Sequence, residues 1–475
     1  MAKLVRFLSR AAAVLTAAAL CAVPISAEHA STPALAWRDC HTDKTSPRLQ
    51  CATILVPLDW ADPTSGAITL ALNRIPAADP AHRIGVLITN PGGPGNSGVD
   101  DVAQEGAGPG PELDIVSQRF DIIGLDPRGV AHSTPVRCPS PIHDPGLNTF
   151  PDSEQTYALL VAANRRAGQQ CSQRTGPLIG HVDTISAARD IDAVRVALGE
   201  STVSLLGESY GTELFSTYLA LFGQRVRAAV LDGAVDHTRS TWQDAQDEAI
   251  ATEEQFHRFT AWCTHEPTCP LGGVDIAGRF GDILARADES PRTVNGTRVD
   301  GRLITQAVYE LLFRNDWPEL ARRLRLAFAP GEPNLIALAA GHLSPDPGEA
   351  ANTAIGCHDL PSEISGLGDL QTKVRTLQQL APLTWRYSET WAWSTSCLGW
   401  PIPSANPPAP QHIRNTSPVL VIDCTHDPAT PIQWAVALAG QFERAHLVTV
   451  ECDGHTAITH SAWARRHEAA FLIEP

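Results

Sequence analysis

Lysine is nearly missing from this 475-residue chain, standing only at positions 3, 44 and 373, and methionine occurs once. Arginine therefore supplies almost all of the 36 basic charges, which face 52 acidic ones and leave a net charge of −16. Nucleic-acid binders carry a basic footprint, so this balance excludes a polyanion as partner. Aromatic residues make up only 6% and charged residues 19%, beside 43% hydrophobic residues, a mixture that excludes a disordered, collagen-like or coiled-coil chain. Past residue 23 no stretch is apolar over the ~20 residues that a membrane-spanning helix needs. There is no Cys-x-x-Cys and no His-x-x-x-His, which excludes a structural zinc site, and no internal repeat or low-complexity tract. What the chain has is length, well beyond the ~100–150 residues of a common domain, so a large core with an inserted subdomain is expected. Gly 35 and Pro 37 add many turns.

The first residues have the three parts of a secretory leader. Lys3, Arg6 and Arg10 form a charged start, residues 11–23 an apolar run, and Ile25-Ser26-Ala27 a small-residue cleavage site. A membrane anchor is the competing reading, but the run falls short of the ~20 residues of a span. Cys21 invites a lipoprotein reading, against which Ala18-Ala19-Leu20 is a poor lipid-attachment signal. Residues 1–27 are therefore read as a signal peptide and the protein as secreted. Beyond Cys21 the cysteines are ten, at 40, 51, 138, 171, 263, 269, 357, 397, 424 and 452. An even number in an exported chain points to five disulfides, and pairing in sequential order is expected because the members of each pair fall in nearby segments.

Short aliphatic runs at 52–57, 68–75, 84–89, 120–125, 203–206 and 228–231 read as strands, with helical patterns at 187–198 and 213–222. That order predicts a largely parallel sheet with crossover helices. From about 236 to 400 the texture is helical, as at 242–263 and 303–326. The proline-rich 400–410 reads as a linker, followed by strands at 418–422 and 446–450 around a helix at 433–442. The simplest assembly is one sheet interrupted by a helical insertion.

Val203-Ser204-Leu205-Leu206-Gly207-Glu208-Ser209-Tyr210-Gly211-Thr212 is the most informative segment. A Gly-x-Ser-x-Gly between a hydrophobic strand and a helix is a nucleophile elbow, in which a strained turn holds the serine above the sheet. Directly after the strand at 84–89 comes Asn90-Pro91-Gly92-Gly93-Pro94-Gly95-Asn96-Ser97-Gly98, where such hydrolases place the N–H groups that stabilise an oxyanion. A phosphate-binding loop is excluded there by the missing Lys-Ser/Thr. The expected oxyanion donors are the N–H groups of Gly93 and Tyr210. Serine needs a histidine to take its proton, and the histidine a carboxylate to fix its tautomer; in this chain order both follow the serine at the ends of late strands. Asp423 and Asp427 compete for the acid, with Asp427 favoured by its place in the loop Thr425-His426-Asp427-Pro428. His455 and His460 compete for the base, with His455 favoured after Asp453-Gly454. A Cys424–Cys452 bridge would tie the two loops together. No metal or organic cofactor is required by this chemistry.

These motifs, with Asp126-Pro127-Arg128-Gly129, Asp427-Pro428-Ala429-Thr430-Pro431, Cys357-His358-Asp359 and Cys397-Leu398-Gly399-Trp400-Pro401, resemble the secreted tripeptidyl aminopeptidases of actinobacteria. Those belong to the prolyl-iminopeptidase branch of the α/β-hydrolases (peptidase family S33). The resemblance covers nearly all of the chain past the leader. It implies Ser209 as nucleophile, Asp427 as acid and His455 as base, with a mostly parallel eight-stranded sheet and a helical cap inserted between strands 6 and 7. The corresponding division is 28–235 for the first part of the core, 236–400 for the cap and 401–475 for the rest of the core. It further implies release of short peptides from a free N-terminus. The chain departs from the family at Val130-Ala131-His132-Ser133 and at Thr456 after His455, both near the pocket, so substrate preference does not carry over.

Glu208 complicates this reading. Gly207-Glu208-Ser209-Tyr210-Gly211 with Asn90 also resembles serine carboxypeptidases, where the corresponding Asn and Glu help to bind a C-terminal carboxylate. A Glu here can instead attract an ammonium group as a substrate-binding residue, or be a satisfied buried acid. The expectation is a secreted serine exopeptidase acting on peptides. The alternatives are a carboxypeptidase-like enzyme, an esterase or amidase for a small amide or ester, and a hydrolase-like binding protein without turnover.

Overall fold

The aliphatic runs between glycine and proline turns form the sheet, and their burial follows their place in it. The computed structural model describes residues 35–329, 348–414 and 417–475; the leader at 1–27 and Cys21 lie outside them. The main sheet contains β1 (Arg38–Asp39), β2 (Gln50–Pro57), β3 (Ala67–Ile75), β4 (Gly85–Asn90), β5 (Phe120–Leu125), β6 (Val203–Glu208) and β7 (Val226–Asp232). Beyond a separate hairpin of β8 (Arg292–Val294) and β9 (Thr297–Val299), it adds β10 (Val419–His426) and β11 (Ala445–Asp453). Eight of these strands have six residues or more, and the two-residue β1 makes the sheet nine-stranded rather than eight-stranded. Their order is β1-β2-β3-β5-β4-β6-β7-β10-β11, antiparallel from β1 to β5 and parallel from there on. β2 alternates, with Ala52, Ile54 and Val56 buried and Leu55 exposed, as a strand with one covered face does. β4 is buried at every position, as a parallel strand between two helix layers must be.

The core helices before the insertion are α1 (Gly98–Glu105), α2 (Asp114–Arg119), α3 (Glu154–Thr175), α4 (Thr184–Ala197) and α5 (Tyr210–Phe222). Between β7 and β10 come α6 (Thr241–His265), α7 (Ile276–Glu289), α8 (Gly301–Phe313), α9 (Trp317–Phe328), α10 (Glu349–Asp359), α11 (Leu367–Leu380) and α12 (Glu389–Ser396). The chain then forms α13 (Ile432–Ala439), α14 (Ala457–His460) and α15 (Ala462–Ile473). α6 starts on a capping box of Ser240 and Gln243. Its Ala245, Ala249, Thr252, Phe256, Phe259 and Cys263 recur at three- and four-residue spacing and are buried, with Phe256 stacked 4.9 Å from Phe280 of α7. The single helix expected at 303–326 is two. Asn315 takes a positive φ of 52°, and Asp316 then caps a new helix whose first turn contains Pro318 and Glu319. The stretch read as a linker is tied down, because Asn406 accepts from His237 Nε2 at 2.9 Å and donates to Asp359 Oδ1 at 2.9 Å.

The disulfides are Cys40–Cys51, Cys138–Cys171, Cys263–Cys269, Cys357–Cys397 and Cys424–Cys452. Arg128 of the Asp-Pro-Arg-Gly motif is fully buried in a bidentate pair with Asp190, at 2.6 and 2.7 Å. Its remaining N–H groups donate to Pro57, Leu58 and His181 carbonyls. Removing either partner would strand a buried charge. Asp126 of the same motif accepts from Ser97 Oγ at 2.7 Å and from Val99 N at 3.1 Å, which anchors the glycine-rich loop where α1 begins.

Candidate active site

Ser209 stands between β6 and α5 with φ 57° and ψ −128°, a conformation that side chains other than glycine's rarely adopt. Such strain costs about 1–3 kcal/mol and persists only where the surroundings over-determine it. Here Ser209 N donates to Asp232 O at 2.9 Å, while Thr212 N and Thr212 Oγ1 both donate to Ser209 O, at 2.8 and 2.7 Å. Thr212 Oγ1 in turn accepts from Val235 N at 2.8 Å, so the turn is fastened to the segment after β7.

The glycine-rich loop lies on this turn. At Gly92 a Cβ would come 2.5 Å from Glu208 O and 2.7 Å from Ser209 Cβ, so only glycine allows the approach. Gly93, Ser209 and Tyr210 line one cavity. Neither the Gly93 nor the Tyr210 backbone N–H has a hydrogen-bond acceptor among the described residues. The insertion holds this loop from the other side, through Asn352 of α10, whose Nδ2 donates to Pro94 O at 3.0 Å.

Asp427 and His455 lie in the loops after β10 and β11, strands that pair in parallel register. Asp427 Oδ2 accepts from His455 Nδ1 at 2.7 Å, from Thr430 Oγ1 at 2.9 Å and from Thr456 N at 3.1 Å, and Oδ1 accepts from Ala429 N and Thr430 N at 2.7 and 2.9 Å. Burial opposes a charge on this carboxyl. The His455 charge, its hydrogen bond and the loop N–H groups outweigh that and hold Asp427 below its ordinary value. Burial likewise opposes a charge on His455, but Asp427, Glu389 and Asp232 raise it above the ordinary histidine value. With Nδ1 committed to Asp427, Nε2 carries the lone pair, and it is buried with no hydrogen-bond partner among the described residues. A Cβ at Gly233 would lie 3.0 Å from His455 Cε1. Since Asp232 O accepts from Ser209 N, this one dipeptide touches both the nucleophile's turn and the imidazole.

The insertion completes the site. His455 N donates to Phe313 O at 2.8 Å, and the Phe313 ring packs 4.5 Å from the imidazole, centroid to centroid. A cavity opens over Ser209, walled by α5, α6, α10, α12 and the loop after β10. Five carboxylic acids line it, namely Glu213, Asp244, Glu248, Asp359 and Glu389, and among the described residues no Lys, Arg or His does. Burial pushes Glu213 up to about 8. Burial and then the Glu213 charge push Asp359 up to about 8. Burial pushes Glu389 up to about 7, with the His455 charge pulling the other way. Asp359 is satisfied by Thr184 and Asn406 and Glu248 by Thr390 N, whereas Glu213 Oε1 faces His237 Nδ1 at 3.2 Å outside hydrogen-bond geometry.

The structure thus brings Gly93, Ser209 and Tyr210 to one cavity and joins Asp427 to His455, with Asp232-Gly233 touching both groups; no hydrogen bond links Ser209 to His455 among the described residues. Asp423 sits inside β10 with Oδ2 on Ala234 N, and His460 lies beyond Gly454 rather than against Asp427. Glu208 is not among the cavity's lining residues; its carboxyl is raised by burial and then by the charges of Asp101, Asp232 and Glu105. Sequence reasoning missed Thr430, Phe313, Asn352 and the cavity acids. Thr430 and Asp359 had a local signal, both standing in quoted motifs, Thr430 three residues after Asp427.

Residues 85–459 match the family model described as alpha/beta hydrolase fold. The chain belongs to the α/β-hydrolase family. This α/β-hydrolase is 31% identical to serine protease Hip1 of Mycobacterium tuberculosis, over 89% of this chain and 85% of that protein. It is 29% identical to tripeptidyl aminopeptidase of Streptomyces lividans, over 92% and 83%. It is also 33% identical to carboxylesterase B of Mycobacterium tuberculosis, over 90% and 85%. The α/β-hydrolase is a serine hydrolase, and over most of its length it is similar both to proteins named as peptidases and to one named as a carboxylesterase.

Proposed function

We propose that the protein is a secreted serine exopeptidase that releases short peptides from free N-termini, with Ser209, His455 and Asp427 as its triad. The observation that carries the reading is the cavity over Ser209, walled by five acids and, among the described residues, no basic one. A peptide's N-terminal ammonium is the group such a wall attracts once its raised acids give up their protons. At ~4 Å and an effective dielectric of ~20, one opposite-charge pair is then worth about 4 kcal/mol. A C-terminal carboxylate gains no such pair, which speaks against the carboxypeptidase reading. A neutral ester gains nothing from the acids. The helical insertion serves in this reading as a cap that admits peptide ends and excludes folded chains. The five disulfides support export.

In the reaction, Ser209 Oγ attacks the scissile carbonyl while its proton passes to His455 Nε2. The oxygen anion formed takes hydrogen bonds from Gly93 N–H and Tyr210 N–H. The C–N bond breaks as His455 returns the proton to the leaving amine, and the acyl group stays on Ser209 as an ester. A water then gives a proton to His455 and attacks that ester, releasing the peptide acid and restoring Ser209. Asp427 holds the imidazole in one tautomer throughout. The test is a matched pair of tripeptide anilides with free and acetylated N-termini. The free amine is expected to react much faster, and Ser209→Ala to abolish both reactions. Equal rates for the pair would remove the exopeptidase claim, and dependence on a free C-terminus would establish the carboxypeptidase reading instead.

A further inference from the structure

Three successive backbone N–H groups follow His455, and two carboxylates take all three. Thr456 N donates to Asp427 Oδ2 at 3.1 Å, Ala457 N to Asp232 Oδ1 at 2.8 Å and Ile458 N to Asp232 Oδ2 at 2.6 Å. The turn they fix is strained, since Thr456 has φ 67° without being glycine. Asp232 is the last residue of β7 and wholly buried. In the sheet it stands opposite Glu208, the residue before the nucleophile, on one side and Ile422 of β10 on the other. Its carbonyl accepts Ser209 N at 2.9 Å.

We infer that Asp232 is a positioning residue for the reaction, holding the nucleophile's turn through its carbonyl and the turn behind His455 through its carboxylate. An acid at a strand end that merely capped a short helix would have no bond to the nucleophile's backbone and no electrostatic reach to the base; Asp232 has both. Its charge is one of those that raise His455. The groups around it set the pH above which its carboxylate is ionised. Burial raises it to about 7, the Ala457 and Ile458 N–H groups and His455 pull it down, and Asp427 pushes it up. Glu468 of α15 and Asp423 of β10 also feel it, and burial raises both well above ordinary carboxyls, so they stay protonated beside it.

The inference rests on the acyl-enzyme reading, and its test separates the two. Phosphonylation of Ser209 by a fluorophosphonate in the unaltered enzyme checks that reading alone; no labelling would end it, whatever Asp232 does. Asp232→Asn keeps the shape, removes the charge and places an amide N–H₂ against one of the two donors. Expected is a loss in kcat on the order of 10–100-fold, the scale of a small misplacement of reacting groups, with KM little changed. The acid limb of the kcat profile should also move to lower pH, because His455 loses a charge that raises it. Loss confined to KM, or an unmoved limb in a variant that melts like the parent, overturns the inference. Ala457→Pro covers the case in which that variant does not fold. It removes the donor to Asp232 Oδ1 at the first helical position, where proline is tolerated, after Thr456 at an extended ψ of 136°. Here kcat should fall with KM little changed; an undiminished kcat overturns the inference.

Discussion

The backbone N–H of His455 donates to the carbonyl of Phe313 at 2.8 Å, and the two rings lie 4.5 Å apart. Phe313 is the last residue of α8, so a helix of the insertion forms part of the seat of the base. The insertion is therefore more than a cover. Phe313→Ala keeps the carbonyl and removes the ring. It should lower kcat roughly two- to tenfold, the ~0.5–1.5 kcal/mol of such a ring contact, with KM nearly unchanged. Steady-state kinetics on one free-amine tripeptide anilide checks this.

Glu389 is one of the charges that place the acid limb, after Asp427. His455 must be neutral to accept a proton, so activity rises with pH through its raised value. Glu389→Gln removes one of the charges that raise it, and the limb moves to lower pH. The same change takes one acid from the cavity, so the preference for free over acetylated N-termini should shrink. A kcat profile on both substrates reads both effects, and a limb displaced to higher pH would contradict the assignment.

The cavity acids predict a pH dependence of KM separate from that of kcat. Glu213 and Asp359 hold protons up to about 8 in the empty cavity, and they attract an ammonium group only when ionised. KM for a free-amine peptide should therefore fall as pH rises toward that value. It should level off where the substrate's amine, with an ordinary value of ~7.7–8.0, loses its own charge. The acetylated peptide should show no such fall.

The Cys424–Cys452 bridge joins β10 and β11 just before the loops of the acid and the base. Replacing both cysteines by alanine should cost about 3–4 kcal/mol in stability, as for a closed loop of this size, and should lower kcat as well. The same double replacement at Cys40–Cys51, on the far edge of the sheet, should lower only the melting temperature. Thermal melts and kcat of the two variants distinguish these outcomes.

The elbow was legible because its signal is local: a hydrophobic strand, a Gly-x-Ser-x-Gly turn and a helix within about twenty residues. Asp427 and His455 could be singled out because the chemistry expected of them sits at strand ends, and the structure bonds the two at 2.7 Å. The cavity acids were not legible as a group, because Glu213, Asp244, Glu248, Asp359 and Glu389 lie far apart in the chain and meet only when α5, α6, α10 and α12 pack together. Asp232 was hidden for a different reason, since an acid ending a strand looks the same in sequence as Asp423, which binds Ala234 N instead. The helix α3 escaped notice because much of its buried face is small or polar, with Ala163, Asn164, Ala167, Gly168 and Cys171, and such a face gives weak hydrophobic periodicity.

The order of the parts along the chain has a bearing on synthesis. The nucleophile's strand and turn are complete by residue 222, but the seat of the base needs α8 of the insertion, the acid loop after β10 and the amides through Ile458. A ribosome-bound intermediate would expose Ser209 without any imidazole to activate it. On the peptidase reading, a chain that ends before residue 458 has no complete site, whatever the state of its nucleophile turn.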